Sequence, residues 1–510
     1  MLRLPELPSD LLSSVFEFLS KREFQSLART CHALNTKATP FLYRNIKFTA
    51  SKSRSCARKL ALLLRTLLER PGLAPEITHF GLFGPQQCWE KYDPWPGNDE
   101  SSIKINLWGF DKSTKTLPLL TPNMFYHLVD DDMQISQEEL KGRSKDTIAT
   151  LIMARLMNLN TLELGDGFLR HSIFLPQMLK RIDYLFPDMA RVILGDRYLD
   201  REAVVSYTDL NLIRPIFYSS TVTSFEWSMM EPWKFRWGEA EAPFNQNLTS
   251  LRLFRTNITR KTLFQLLDAT PHLKSFSYEQ EITFNGSTPG APSLSPYLEL
   301  EGLNSALGCV RRTLESCQLI LRLAPGSISA SQYPSCGIAF PAIEGTLTIL
   351  KDMPRLKQVE VPMVMFFGWF PRTMAKLDEL LPRKITDLTL RDDLVPYCYW
   401  SRPSSRGRRI ARIGTYLKDR AVHAPYLNTL KVRLINAKEQ LRESVQELSL
   451  SAFENGITTR VLRGAKSETY YWRLEGKRIE PRRPELGTRV DSVLREDGPL
   501  HAEVHFLKHL

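Results

Sequence analysis

The residues with the most pointed chemistry lie near the end of the chain. His501, His505 and His509 recur every fourth position, which would stack three imidazoles on one helical face, a zinc-ligand set in principle. No carboxylate or cysteine ligand arrangement accompanies them. In HAEVH (501–505) the Glu sits one place late for the H-E-x-x-H of a zinc protease. The histidines therefore read as a solvated tail. Asp130-Asp131-Asp132 and Glu138-Glu139 bring carboxylates together, but a calcium loop needs them at alternating, turn-like spacing closed by glycine, so this is an acidic loop. No phosphate-cradling glycine loop, nucleophile elbow or kinase catalytic set occurs. The expectation is a non-catalytic protein with no metal and no cofactor.

Charge gives a second kind of chemistry. Lys and Arg total 68 against 56 Asp and Glu, a net +12. Arg402, Arg406, Arg408, Arg409 and Arg412 form one basic loop, with Tyr397, Tyr399 and Trp400 beside it; Arg473, Lys477, Arg478, Arg482 and Arg483 form another. Nucleic-acid binding would need a groove-reading or base-stacking element as well as charge. An acidic protein partner uses these groups better. The seven cysteines, Cys31, Cys56, Cys88, Cys309, Cys317, Cys336 and Cys398, are odd in number and contain no C-x-x-C pair, which speaks against a disulfide framework or structural zinc and fits a reducing compartment. No eighteen-residue apolar run occurs, since Val361 to Phe370 is broken by Pro362 and Gly368, and Met1-Leu2-Arg3 leads into Pro5, Glu6 and Asp10 rather than a signal core. A soluble intracellular protein of cytoplasm or nucleus is expected.

The N-terminal forty residues are the most regular element. Leu7, Leu11, Val15, Phe16 and Leu19 fall along one side of a helix that Pro8 can open. After Ser20-Lys21-Arg22-Glu23 a second stripe follows: Phe24, Leu27, Ala28, Cys31 and Leu34. Two such helices cannot bury both faces alone, so a third helix and a partner are required. Leu7-Pro8, Leu11-Leu12, Val15-Phe16, Leu19 and Leu27-Ala28 with Cys31 and Leu34 resemble the F-box, the module that docks a substrate receptor onto the Skp-family adaptor of a cullin-RING ubiquitin ligase. Pro40-Phe41-Leu42-Tyr43 is similar to the Pro-x-Leu-Tyr ending of F-box proteins of filamentous fungi; Glu23 and Leu34 stand where that pattern usually has Asp and Trp. The resemblance implies adaptor contacts by Leu7, Pro8, Leu11, Leu12, Val15, Phe16, Leu19, Phe24 and Leu27, with Leu11, Val15 and Phe16 partly exposed before binding.

Behind it, a helix (Cys56 to Arg70, after a polar hinge at 51–55) and a strand (Ile77 to Leu82) introduce a unit that recurs as a degenerate L-x-x-L-x-L. Its anchors are Leu159, Leu162, Leu164; Met189, Val192, Leu194; Val222, Phe225, Trp227; Leu248, Leu251, Leu253; Leu273, Phe276, Tyr278; Leu314, Cys317, Leu319; Leu356, Val359, Val361; Ile385, Leu388, Leu390; and Leu427, Leu430, Val432. Helix, turn and strand in that order describe a leucine-rich repeat, although successive starts are 25 to 42 residues apart and the usual Asn after the motif is missing. F-box followed by leucine-rich repeats is a known family arrangement, and this chain resembles it.

The expected fold is thus α+β and α/β: an all-helical F-box at 1–50, a hinge and first repeat helix at 51–75, and an irregular leucine-rich-repeat solenoid at 76–465, with parallel strands on the concave face and helices outside. An insertion occupies about 84–150, with Gly286 to Pro296 and Ser327 to Cys336 as further loops, and a basic tail or cap takes 466–510. Residues between anchors point to the inner sheet face. They nominate Arg252, Phe254, Glu279, Gln358, Glu360, Asp387, Arg391, Lys431 and Arg433 as the substrate surface, with Phe254 an apolar anchor and Arg391, Lys431 and Arg433 facing acidic residues. The functional expectation is a substrate-recognition subunit of a Skp-cullin-F-box ligase. An F-box scaffold outside the cullin ligase, or a nucleic-acid-binding repeat protein, are the alternatives.

Overall fold

The computed structural model describes residues 7–49, 53–84, 145–172, 174–195, 212–228, 235–237, 241–256, 258–282, 298–323, 343–368, 375–394, 403–434, 442–463, 471–475 and 478–482. Asp130 to Asp132, most of the expected insertion, the loops Gly286 to Pro296 and Ser327 to Cys336, and His501 to His509 lie outside them. The described chain divides into two units, residues 7–195 with 212–225, and residues 226–482.

The first unit opens with three helices, α1 (Ser9–Phe16), α2 (Lys21–Ala28) and α3 (His32–Arg44). The second apolar stripe therefore does not lie on one helix: the chain breaks at 29–31, leaving Cys31 exposed and Leu34 buried on α3. Four strands follow, β1 (Asn45–Thr49), β2 (His79–Phe83), β3 (Thr161–Leu164) and β4 (Arg191–Leu194), paired in that order and all parallel. β1 falls inside the segment read as helical, and α4 (Ser53–Glu69) starts inside the expected hinge. Helix Lys145–Met153 also takes the end of the expected insertion, with every residue from Thr147 on buried. β5 (Ser224–Ser228) lies where the units divide.

In the second unit β6 (Ser250–Thr256), β7 (Ser275–Ile282), β9 (Ser316–Leu323), β11 (Gln358–Pro362), β12 (Asp387–Arg391), β13 (Thr429–Leu434) and β14 (Thr458–Arg463) form consecutive parallel pairs. The two-residue β8 (Leu298–Glu299) and β10 (Ile343–Glu344) pair separately with each other. All nine anchor triplets fall in or just before these strands, and none of their side chains is more than 3% exposed. Parallel strands need crossovers on the return path, and the segments between them supply helices such as Arg260–Asp268 and Leu300–Gly308. The result is a parallel α/β architecture behind a helical N-terminus.

One backbone device repeats at the foot of the strands. The carbonyl just before a strand accepts two N–H groups from the same position of the next strand: Thr78 from Asn160 and Thr161, Asn160 from Ala190 and Arg191, Ala190 from Thr223 and Ser224. Thr249, Lys274, Glu315, Lys357 and Thr386 do the same in the second unit, all at 2.8–3.1 Å. These carbonyls sit at turns, where the strand ladder has not begun, and the double acceptance satisfies groups that would otherwise lack partners.

Two basic stretches differ from the expected loops. Pro403–Lys418 is a helix with Ile410, Ile413, Tyr416 and Leu417 buried; Pro403 suits its first turn and Arg408 and Arg412 face solvent. Tyr471–Glu475 and Arg478–Arg482 pair as antiparallel strands.

Candidate functional site

The three N-terminal helices meet in a small core of Leu12, Phe16, Phe24 and Ala38, against which Leu7, Leu19, Leu27, Ala28, Phe41 and Leu42 pack. Phe16 stands edge-on to both Phe24 and Phe41, with centroids 5.4 and 5.1 Å apart, and Phe24 stacks on Phe41 at 5.6 Å. These are favoured aromatic geometries and fix how α1 and α3 meet. α2 is started by a reciprocal cap: Ser20 N donates to Glu23 Oε2 at 2.6 Å and Glu23 N donates to Ser20 Oγ at 3.5 Å. The backbone bond from Ser20, then that with its side chain, hold the Glu23 carboxyl below the ordinary carboxylate range. Lys21 Nζ donates to the Asn45 carbonyl at 2.6 Å, tying α2 to β1; burial, then Lys47, lowers its pKa.

This packing divides α1 lengthwise. Leu12 and Phe16 turn inward, while Leu11 and Val15, one helical step away, are 57% and 42% exposed, and Phe18 in the following turn is 84% exposed. The expectation that Phe16 is partly exposed is not met: it is 1% exposed, because it is the side chain around which Phe24 and Phe41 are arranged. Of the other residues assigned to adaptor contact, Pro8 is exposed, Leu7, Leu19 and Leu27 are half-buried, and Leu12 and Phe24 are buried. Phe18 was not anticipated. The available signal was a large aromatic lying off the i, i+4 stripe, where nothing inside the module can cover it.

On the sheet face of the second unit, register aligns Arg252, Ser277, Gln318, Glu360, Thr389, Lys431 and Arg460 in one row. A hydrogen-bonded chain runs along it. Ser277 Oγ donates to Gln318 Oε1 at 2.6 Å, Gln318 Nε2 to Glu360 Oε2 at 2.9 Å, and an Arg391 guanidinium N–H to Glu360 Oε1 at 2.6 Å. Arg391 Nε also donates to Asp393 Oδ2 at 2.8 Å, and that oxygen takes the Leu321 N–H at 3.0 Å. Arg433 Nε lies 3.4 Å from Glu360 Oε1. Burial alone would raise the Glu360 pKa, but Arg433 and Arg391 lower it overall; burial would lower that of Arg391, and Asp393 and Glu360 more than offset it.

The nine residues assigned to a substrate surface therefore separate. Gln358 is exposed, and Arg252, Asp387, Lys431 and Arg433 are partly exposed. Phe254, Glu279, Glu360 and Arg391 depart from the expectation. Phe254 is 4% exposed, because a register shift between Leu253 and Thr256, with Arg255 at φ +47°, breaks the alternation that would have turned it outward. Glu279 is buried and held by Arg322 at 2.5 Å. Arg391 and Glu360 spend their charges on each other and on Asp393 and Arg433.

A smaller network marks the sheet of the first unit. Glu163 receives Lys47 Nζ at 2.9 Å and lies 3.2 Å from His79 Nε2. Register places Lys47, Gly81 and Glu163 on adjacent strands. Lys47 crosses β2 because Gly81 has no side chain; a Cβ there would meet Phe83 Cε2 at 2.9 Å and Lys47 Cγ at 3.3 Å. Burial would raise the Glu163 pKa, but His79 and Lys47 bring it down to about 2.

Among the described residues no group of His, Cys, Asp and Glu is arranged to hold a metal ion, and no helix is long and apolar enough to cross a membrane. Compared with known proteins, residues 4–49 match the family described as F-box-like. No curated protein matches the chain.

Proposed function

We propose that this chain is the substrate-recognition subunit of a Skp-cullin-F-box ubiquitin ligase, with an F-box that docks the Skp-family adaptor and a degenerate leucine-rich-repeat body that holds a protein substrate. The observation that carries the reading is the coincidence of the F-box-like match over residues 4–49 with an α1 whose Leu11 and Val15, together with Phe18 in the turn that follows it, are left outside a completed core. Exposed apolar side chains grouped on one helix and the turn after it are what a partner surface buries. The repeat reading rests on nine buried triplets carried into parallel strands and on the recurring two-donor carbonyl at their feet. In this role the chain supplies no catalytic group. It raises the effective concentration of substrate lysines near a ubiquitin-charged enzyme brought by the complex.

The test is co-purification of the full chain with a Skp-family adaptor. Leu11→Ala with Val15→Ala, and separately Phe18→Ala, are expected to reduce capture at least tenfold while leaving α1 to α3 folded by amide exchange. Undiminished capture by both variants would remove the proposal. Recovery of cullin in the same eluate is expected of the wild type, and its absence would leave adaptor binding without ligase membership.

A further inference from the structure

The turns that lead into successive strands of the second unit are occupied in register. Ser275, Ser316, Gln358, Asp387 and Thr429 align at the strand starts, so residues 270–274, 311–315, 353–357, 382–386 and 424–428 lie side by side along the sheet's N-terminal edge. Four of these five turns carry Lys274, Arg311, Arg312, Arg355, Lys357, Arg383 and Lys384. All seven are exposed, and none engages a carboxylate among the described residues. Glu315 is the only acid in the five turns, and it is half-buried.

The turn itself does not require this charge. Three equivalent turns of the first unit, 75–78, 157–160 and 187–190, close with the same two-donor carbonyl, yet they and residues 220–223 contain Glu76 and Asp188 and no Lys or Arg. Residues 245–249, before β6, are uncharged. The cations are therefore confined to the turns before β7, β9, β11 and β12. Seven like charges left unpaired on one edge repel one another and gain nothing from the fold.

We infer that this edge is a docking surface for an acidic protein segment in extended conformation. Neighbouring strands lie about 4.8 Å apart, so the five turns span about 19 Å. That is the reach of about six extended residues. Single-stranded nucleic acid is the other polyanion of that form, but its sites alternate cations with aromatic stacking platforms. Here the one exposed Tyr, Phe or Trp of the five turns, Tyr426, stands beyond the last cation, in the turn before β13, and the exposed His272 stands ahead of the first, so no aromatic alternates with the cations between them. The inference does not depend on adaptor docking, and its test contains no adaptor.

The experiment titrates the full chain against a dye-labelled peptide of alternating Glu and Ser, with an oligothymidylate of similar charge as the second probe. The variants are Arg312→Glu, Arg355→Glu and Arg383→Glu combined, and a control of equal charge change at exposed positions off this edge, Lys261→Glu, Arg412→Glu and Lys418→Glu combined. Expected are peptide binding that the edge variant weakens at least tenfold and the control leaves within twofold, steep weakening with salt, and weaker binding of the oligothymidylate. No peptide binding overturns the proposal, as does equal loss in the control, which would reduce the effect to net charge. Tighter binding of the oligothymidylate that the edge variant abolishes would assign the edge to nucleic acid instead.

Discussion

The N-terminal helices and the sheet of the second unit treat their side chains in opposite ways. In the helices the core is complete with four buried residues and their neighbours, and the apolar remainder, Leu11, Val15 and Phe18, is left in solvent. In the sheet every anchor is inside, and part of the polar face has been drawn in too, through Ser277, Gln318, Glu360, Arg391 and Asp393. A surface with unsatisfied apolar groups invites a partner, whereas charges already neutralised within the fold have little left to offer one. Residues chosen from a sequence as "facing out" therefore carry different weight in the two places.

Phe16→Ala probes the contrast most strongly. Losing the aromatic centre of the helical core should cost about 3 to 5 kcal/mol, whereas Leu11→Ala, one step round α1, should cost under about 0.5 kcal/mol. Urea unfolding, with amide exchange over α1 to α3, reads both; similar costs would mean that α1 has no free face. In the sheet, Arg391→Leu leaves the buried Asp393 and the half-buried Glu360 without their shared cation and should cost about 3 kcal/mol. Lys431→Leu on the next strand, partly exposed, should stay within about 0.5 kcal/mol. If Arg391 proves as dispensable as Lys431, the network is not what holds that face.

Glu163 gives a smaller effect with a defined sign. Its folded pKa of about 2 lies below the ordinary 4.5, so its contribution to stability is present above about pH 4.5 and is lost as pH falls toward 2. Between pH 6 and pH 3 the loss amounts to about 2 kcal/mol. The stability gap between wild type and Glu163→Gln should shrink by that amount over the same range. A gap that does not change with pH would mean that Lys47 and His79 do not hold this carboxylate.

Much of the architecture was legible because its signal is local. Three apolar positions spaced three and then two apart mark a strand and the turn before it, and all nine such triplets lie buried there. The basic stretch at 402–412 misled because Pro403, Ser404, Ser405 and Gly407 are loop-formers, while Ile410, Ile413, Tyr416 and Leu417 gain enough burial to hold a helix. The site residues were harder for a different reason. Arg391 reaches Glu360 across 31 positions of sequence, and Lys47 reaches Glu163 over a strand separated from both; no window along the chain contains such pairs. Phe254 turned inward through a bulge that alternation cannot foresee.

The doubled acceptor at the foot of eight of the strands has a consequence for how the gene can change. Registration is set where one carbonyl meets two amides, not by the length of chain that returns to it. The path between one such point and the next can therefore lengthen or shorten without disturbing its neighbours, as the 25- to 42-residue spacings already display. Loop closure over such lengths differs by well under about 1 kcal/mol. Insertion and deletion are thus the cheap mutations in this body, and a substitution to proline just after one of these carbonyls, which removes a donor, is the costly one.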